Sequence, residues 1–253
     1  MISPRLFLRR AAEYLYPARC VSCRGALRGS AKTEHSENDA IDGVRHRVLC
    51  DRCYDEFAES CRTACRHCGR KYSECECVPD SLRDVGVRRA FSCFRYDKSK
   101  HESVSSRFLF SLKHTERFDS IAFAAELLAA RIRSSGILPD TVITYAPRCQ
   151  KNIRRYGGDH MKMTAKLLSQ ILGCEYADAF VNHSRGEQKY KDVAARGAAS
   201  LSYSLRRGVD LSGRRVIIID DIITSGYTMS KCADLARRAG ASEVLVLVLS
   251  KSR

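Results

Sequence analysis

The sequence predicts an α/β protein, a parallel-sheet domain preceded by a small cysteine-rich zinc-ribbon module. Three observations predict it. Val216 to Ile219 form a β-branched apolar run without alternation, as a central strand buried on both faces requires. Strand-like and helix-like runs alternate along residues 81–253, the pattern of a parallel sheet crossed by helices. Nine of the thirteen cysteines fall between Cys20 and Cys77, mostly in close pairs. The expected division is therefore 1–80, a helix plus the cysteine-rich module, and 81–253, the α/β domain.

The 253 residues carry a formal net charge of +15. Residues 1–80 hold 14 Lys/Arg against 12 Asp/Glu, leaving 30 against 17 for residues 81–253. The excess basicity suits a polyphosphate ligand, a nucleic acid or solubility. Ile2 to Tyr16 is interrupted by Arg5, Arg9, Arg10 and Glu13, so neither a signal peptide nor a membrane-spanning run is expected. A cytoplasmic location follows, and in a cytoplasmic chain clustered cysteines point to metal rather than disulfides.

Leu6 to Tyr16 reads as a short amphipathic helix ended by Pro17. Cys20-x-x-Cys23 and Cys50-x-x-Cys53 are two knuckles, each presenting two thiolates from a tight turn, and together they predict a closed tetrahedral zinc site. Between them, Gly29 to Arg47 reads as a polar inserted loop, with His35 and His46 solvated. Cys65-x-x-Cys68 with Cys75-x-Cys77 offers a second site. Its closing pair is one residue short, and Cys61 and His67 stand nearby, so a second zinc and a set of free thiols both stay open.

Val78 to Val87 reads as a linker, and Ala90 to Tyr96 as an exposed-edge strand. Helices are expected over Val104 to Lys113 and Ile121 to Ile132, and a buried strand over Thr141 to Ala146. Pro147 to His160 follows as a basic, glycine-containing loop carrying Arg148, Arg154 and Arg155. Leaving a parallel strand end, it should form a second anion site beside the one described below. Met161 to Leu172 is a helix closed by Gly173, and a short strand lies near Cys174 to Ala177. Ala179 to Ser204 is polar and reads as a mobile lid. Ser242 to Ser250 is the last buried strand.

The organising stretch is Arg215 to Thr228, RVIIIDDIITSGYT. Asp220 and Asp221 follow the apolar run, Thr224-Ser225-Gly226 makes a hydroxyl-rich turn, and Tyr227 to Ala239 reads as a helix. Turn amides, hydroxyls and a helix start favour a phosphate, while two adjacent acids suit hydroxyls or a metal. A ribose 5-phosphate fits both halves. The stretch resembles the 5-phosphoribosyl 1-pyrophosphate (PRPP) motif of type I phosphoribosyltransferases. The resemblance implies that Asp220 and Asp221 take the ribose, and that Thr224, Ser225, Gly226 and Thr228 take the phosphate. Tyr227 sits where the motif is permissive.

Over nearly the whole chain the sequence resembles the ComF family, a cysteine-rich zinc module joined to a type I phosphoribosyltransferase-like domain. The residues that carry it are Leu15-Tyr16-Pro17-x-x-Cys20-x-x-Cys23, Leu49-Cys50-x-x-Cys53, Cys65-x-x-Cys68-Gly69, Phe94-x-Tyr96, Leu112-Lys113, Arg154-Arg155-Tyr156-Gly157, Gln188, Arg196 and Asp220 to Thr228. Gly158-Asp159-His160 and Ala198-Ala199 depart from the family pattern. The resemblance implies a PRPP-like ligand with Mg²⁺, phosphoribosyl transfer to an unidentified acceptor, and structural zinc. Arg148, Arg154 or Arg155 would then meet pyrophosphate, and Lys113 approaches the same edge. No general base is evident. The alternative is a non-catalytic module binding PRPP or single-stranded DNA, with competence proteins as partners.

Overall fold

A computed structural model describes residues 18–27, 44, 48–96, 102–113, 118–133, 135, 140–184 and 203–251. Its helices are α1 (Asp51–Arg62), α2 (Asp80–Arg83), α3 (Val104–Leu112), α4 (Phe118–Arg133), α5 (Gln150–Tyr156), α6 (His160–Leu172) and α7 (Tyr227–Arg238). The strands are β1 (Ala90–Arg95), β2 (Thr141–Tyr145), β3 (Glu175–Tyr176), β4 (Phe180–Asn182), β5 (Tyr203–Leu205), β6 (Arg215–Ile223) and β7 (Glu243–Lys251). Five strands form one sheet in the order β1-β7-β6-β2-β3, and every pairing in it is parallel.

The unalternating apolar runs have a simple cause. Successive strand side chains point to opposite faces. Ile217, Ile219, Leu245 and Leu247 enter one core with α1, α3, α4 and α6. Val216, Ile218, Val244 and Val246 enter the other, with α2 and α7. A sheet covered on both faces must be apolar at every position. This is a parallel-sheet α/β fold, with two groups of four cysteines on its N-terminal side.

The cysteine-rich segment shares the first core. Phe57 of α1 is fully buried, with ring centroids 4.9 Å from Phe94, 5.7 Å from Phe108 and 5.7 Å from Phe123. That packing corrects the reading of β1 as exposed. It is an edge strand by pairing, yet Ala90 to Phe94 are all buried, because α1 covers it and residues 72–75 cross it. Ser92 Oγ donates to Tyr72 O at 3.2 Å, and the buried Arg131 donates to Ser92 O at 3.2 Å and Cys75 O at 3.3 Å.

Three further readings change. Residues 78–87 are no free linker, because they contain α2 and bury Leu82 and Val87 in the second core. Pro147 to His160 is not wholly loop. It holds α5, and Asp159 caps α6 by accepting from Met161 N and Lys162 N at 3.1 and 3.4 Å. Ala179 to Ser204 contains strands β4 and β5, an antiparallel pair with Phe180 buried. The helix expected at Leu6 to Tyr16, most of the insertion with His35 and His46, and Arg185 to Lys189 with Arg196 lie outside the described residues.

Candidate functional site

The site forms where β2 and β6 end side by side. Tyr145 is in register with Ile219, and Ala146 N donates to Ile219 O at 3.1 Å. Pro147 and Arg148 therefore run beside Asp220 and Asp221. The strand ladder continues through both acids to Ile223, so the carboxylates project from a fixed strand and not from a loose turn.

The two acids are electrostatically unequal. Asp220 Oδ1 accepts from Asp221 N at 2.9 Å, and Asp221 Oδ1 accepts from Ile222 N at 2.7 Å. Burial pushes the Asp220 pKa well above the ordinary carboxylate value, and the neighbouring Asp221 charge adds to the rise. Burial acts in the same direction on Asp221. There it is outweighed by the hydrogen bond and charge of His160, with Arg148 and Lys113 assisting, which hold the group down at about 2. His160 Nε2 lies 3.2 Å from Asp221 Oδ2. The pair therefore favours one ionised carboxylate over two.

The Thr224–Gly226 turn is set by packing from a distance. Gly226 has φ of 81°, and a Cβ there would sit 2.6 Å from Ser81 Oγ. Ser81 Oγ donates to Ser225 O at 2.7 Å. Glycine is required twice over, by the left-handed backbone and by the close approach of α2. Thr224, Ser225 and Tyr227 face solvent, and α7 begins at Tyr227 with no side chain capping its amides.

Of the three arginines expected around the anion site, the structure brings one to the acids. Arg148 N donates to Asp159 Oδ2 at 2.9 Å, its guanidinium stands 5.2 Å from the Tyr156 ring centre, and its Nη1 is buried without a hydrogen-bond partner. Arg154 and Arg155 lie exposed on α5, with the Arg155 guanidinium 5.3 Å from the Tyr156 ring centre.

Sequence reasoning missed several residues here. In the sequence His160 stands out only as the end of the basic loop and as part of the Gly158-Asp159-His160 departure, with no role attached. Asn182 Nδ2 donates to Pro147 O and to Tyr203 Oη, both at 2.9 Å. Tyr203 Oη also donates to Pro147 O at 3.5 Å, and burial above all, with the nearby Asp220 charge adding to it, raises its pKa, so the β4–β5 pair lies beside the acid end of the site. Asp178 anchors that pair, accepting from Tyr145 Oη at 2.9 Å, Lys162 Nζ at 2.6 Å and Arg206 Nη2 at 3.3 Å. The available signal was the alternation in Phe180-Val181-Asn182 and Tyr203-Ser204-Leu205, too short to stand out.

Both cysteine groups assemble. The sulfurs of Cys20, Cys23, Cys50 and Cys53 lie within 4.8 Å of one another, and so do those of Cys65, Cys68, Cys75 and Cys77. In the first, Val21 N donates to Val48 O at 2.9 Å and brings the two knuckles together. The Gly25 amide, then the Cys50 thiol, lower the Cys23 pKa to about 7. In the second, burial opposes ionisation of Cys65, but the amides of Cys68 and His67 prevail and lower it to about 7. Four sulfurs at such spacing fit a tetrahedral metal. The short Cys75-x-Cys77 closure suffices, and His67 and Cys61 stay outside. Cys61 points into the core, where burial raises its pKa. All thirteen cysteines are free of disulfides.

The phosphoribosyl transferase domain family matches residues 163–253. DNA utilization protein YhgH of Shigella flexneri is 31% identical over 129 residues, 50% of this chain and 56% of that protein. The protein of the same name from Escherichia coli O157:H7 is 27% identical over 215 residues, 82% of this chain and 92% of its own. Ribose-phosphate pyrophosphokinase of Pyrococcus abyssi is 34% identical over 84 residues, 33% of this chain and 25% of that enzyme. The ComF-type resemblance is thus borne out over most of the chain. No helix among the described residues is long and apolar enough to cross a membrane.

Proposed function

We propose that this chain binds PRPP with Mg²⁺ and transfers its phosphoribosyl group to an acceptor still to be identified. The observation that carries the reading is the Asp220–Asp221 pair on a fixed strand end, flanked by His160 and Arg148 and followed by an open phosphate turn. The ribose hydroxyls would meet Asp220 and Asp221. The 5-phosphate would meet the amides and hydroxyls of Thr224 to Thr228, with Tyr227 at the rim. Arg148, with its unpartnered buried nitrogen, is the first candidate for pyrophosphate, and Arg154 and Arg155 would reach it only from the exposed face of α5. Asp220 and Asp221 would be the residues to hold Mg²⁺, which would supply charge neutralisation for the leaving pyrophosphate. As the C1–O bond to pyrophosphate breaks and a bond from C1 to the acceptor forms, positive charge grows on the ribose. An ionised Asp221 stabilises that charge, and the fixed strand supplies positioning.

Zinc is the metal assigned to both cysteine tetrads, in a structural role, since four thiolates leave no open position. Reduced thiols suit a cytoplasmic location. We divide the chain into residues 1–80 and 81–253, joined through a common core. The relatives' name, DNA utilization protein, supports a second reading, in which single-stranded DNA or competence proteins are the partners. Lys113 Nζ stands 4.8 Å from the ring centre of the exposed Phe110, and Phe118 is also exposed, a basic–aromatic pairing that suits stacked bases.

Thermal unfolding with and without ligand tests the proposal. PRPP and Mg²⁺ at one hundred times Kd should stabilise the zinc-loaded chain by about 2.7 kcal/mol, and leave an Asp220→Ala/Asp221→Ala variant unmoved. Stabilisation by oligo-dT alone would transfer the assignment to DNA.

A further inference from the structure

We propose that a metal ion in the second tetrad, Cys65, Cys68, Cys75 and Cys77, fixes the phosphate turn Thr224 to Gly226, with Ser81 as the positioning residue between them. Two routes connect the two places. The first runs along the chain. Cys75 and Cys77 are two of the four ligands, Pro79 follows two residues later, and Ser81 in α2 donates to Ser225 O at 2.7 Å. The fit is tight, since a Cβ at Gly226 would stand 2.6 Å from Ser81 Oγ, 3.4 Å from Pro79 Cβ and 3.6 Å from Leu82 Cγ. Farther along, Arg237 of α7 donates to Gly86 O at 3.2 Å, so both ends of the 79–87 segment are pinned to the motif's turn and helix.

The second route runs through Lys251, the last residue of β7. Its ammonium is buried at 5% exposure and donates to Cys77 O at 2.9 Å and Ala90 O at 2.5 Å, with Cys75 Sγ at 3.9 Å. Lys251 is in register with Ile223, the residue immediately before Thr224. Cys65, Cys77, Pro79, Ile223 and Lys251 line one small cleft. Lys251 thereby ties the backbone of the ligand Cys77 to the end of β7, beside the residue that precedes the turn. Loss of the metal would therefore release Lys251, the 75–81 segment and the turn together. Among the described residues the first tetrad has no such path, because its knuckles pack in the opposite core.

The consequence for PRPP rests on the reading above, but the coupling is measurable without ligand. Amide hydrogen exchange of residues 222–230 would be followed in the full-length zinc-loaded chain and in Ser81→Ala, Cys68→Ser and Cys23→Ser, with zinc counted in each. Ser81→Ala should keep both metals and exchange about fivefold faster at Ile223, at the end of the strand ladder, and at Ser230, whose amide donates to Gly226 O, the loss of one hydrogen bond. Cys68→Ser should lose one metal and open the same amides at least as far. Cys23→Ser should lose one metal and leave them protected. Wild-type protection in Ser81→Ala overturns the proposal whatever the cysteine variants do, and so does equal opening in Cys23→Ser and Cys68→Ser. If wild-type chain binds no PRPP, the ligand reading fails while the exchange result still decides the coupling.

Discussion

His160 Nε2 lies 3.2 Å from Asp221 Oδ2, and the imidazole is 1% exposed. A histidine so enclosed cannot turn elsewhere, so it acts as a fixed partner for the carboxylate. Its hydrogen bond and charge, with Arg148 and Lys113, overcome the burial that would otherwise raise the Asp221 pKa.

His160→Ala should therefore raise that pKa from about 2. In the wild type, the stability Asp221 contributes is present above the ordinary carboxylate range and is lost as pH falls through about 2. In the variant the loss should begin at higher pH. PRPP affinity in His160→Ala should fall relative to wild type by up to about tenfold per unit below the raised pKa. Titrations of both proteins through that pKa check it.

Asp220 works in the opposite sense. Its folded pKa lies above the ordinary value, so its contribution falls as pH rises from that value through the folded pKa, and the ionised form remains a cost above it. Asp220→Asn should raise the melting temperature of the ligand-free chain at pH 7, by about 2–4 °C for each kcal/mol relieved. The gain should shrink toward pH 4, and PRPP binding should be lost. A variant less stable at every pH would contradict this.

Removing metal should act in two countable steps. Zinc analysis should give two ions per chain, and one each for Cys20→Ser and Cys75→Ser. Because thiolates are the ligands, acidification should release both ions as protons compete for sulfur.

Phe57→Ala should cost about 3–5 kcal/mol in denaturant unfolding, since the ring sits among Phe94, Phe108 and Phe123. Unfolding should stay a single transition. A separate early melt of the cysteine-rich part would show that the two parts are less coupled than the common core implies.

What was legible in the sequence was local. The β6 run, its acids and the glycine turn lie within fourteen residues, and the Cys20/Cys23/Cys50/Cys53 set announces itself by spacing. What was hidden depended on distant contacts. Ser81 reaches Ser225 across 144 positions and turns an apparent linker into a prop. The pairing of His160 with Asp221 spans 61 positions and appears only when β2 and β6 are neighbours. The short Cys75-x-Cys77 closure could not be judged until the backbone showed four sulfurs converging. The β4 and β5 strands have three residues each, fewer than periodicity can distinguish from loop.

The central claim is a ribose-phosphate site at the end of β6. Isothermal titration of PRPP with Mg²⁺ into the zinc-loaded chain and into Asp220→Ala/Asp221→Ala tests it most directly. The account predicts saturable one-to-one binding by the wild type and none by the variant. No heat in well-folded wild type, or equal affinity in both proteins, would contradict it.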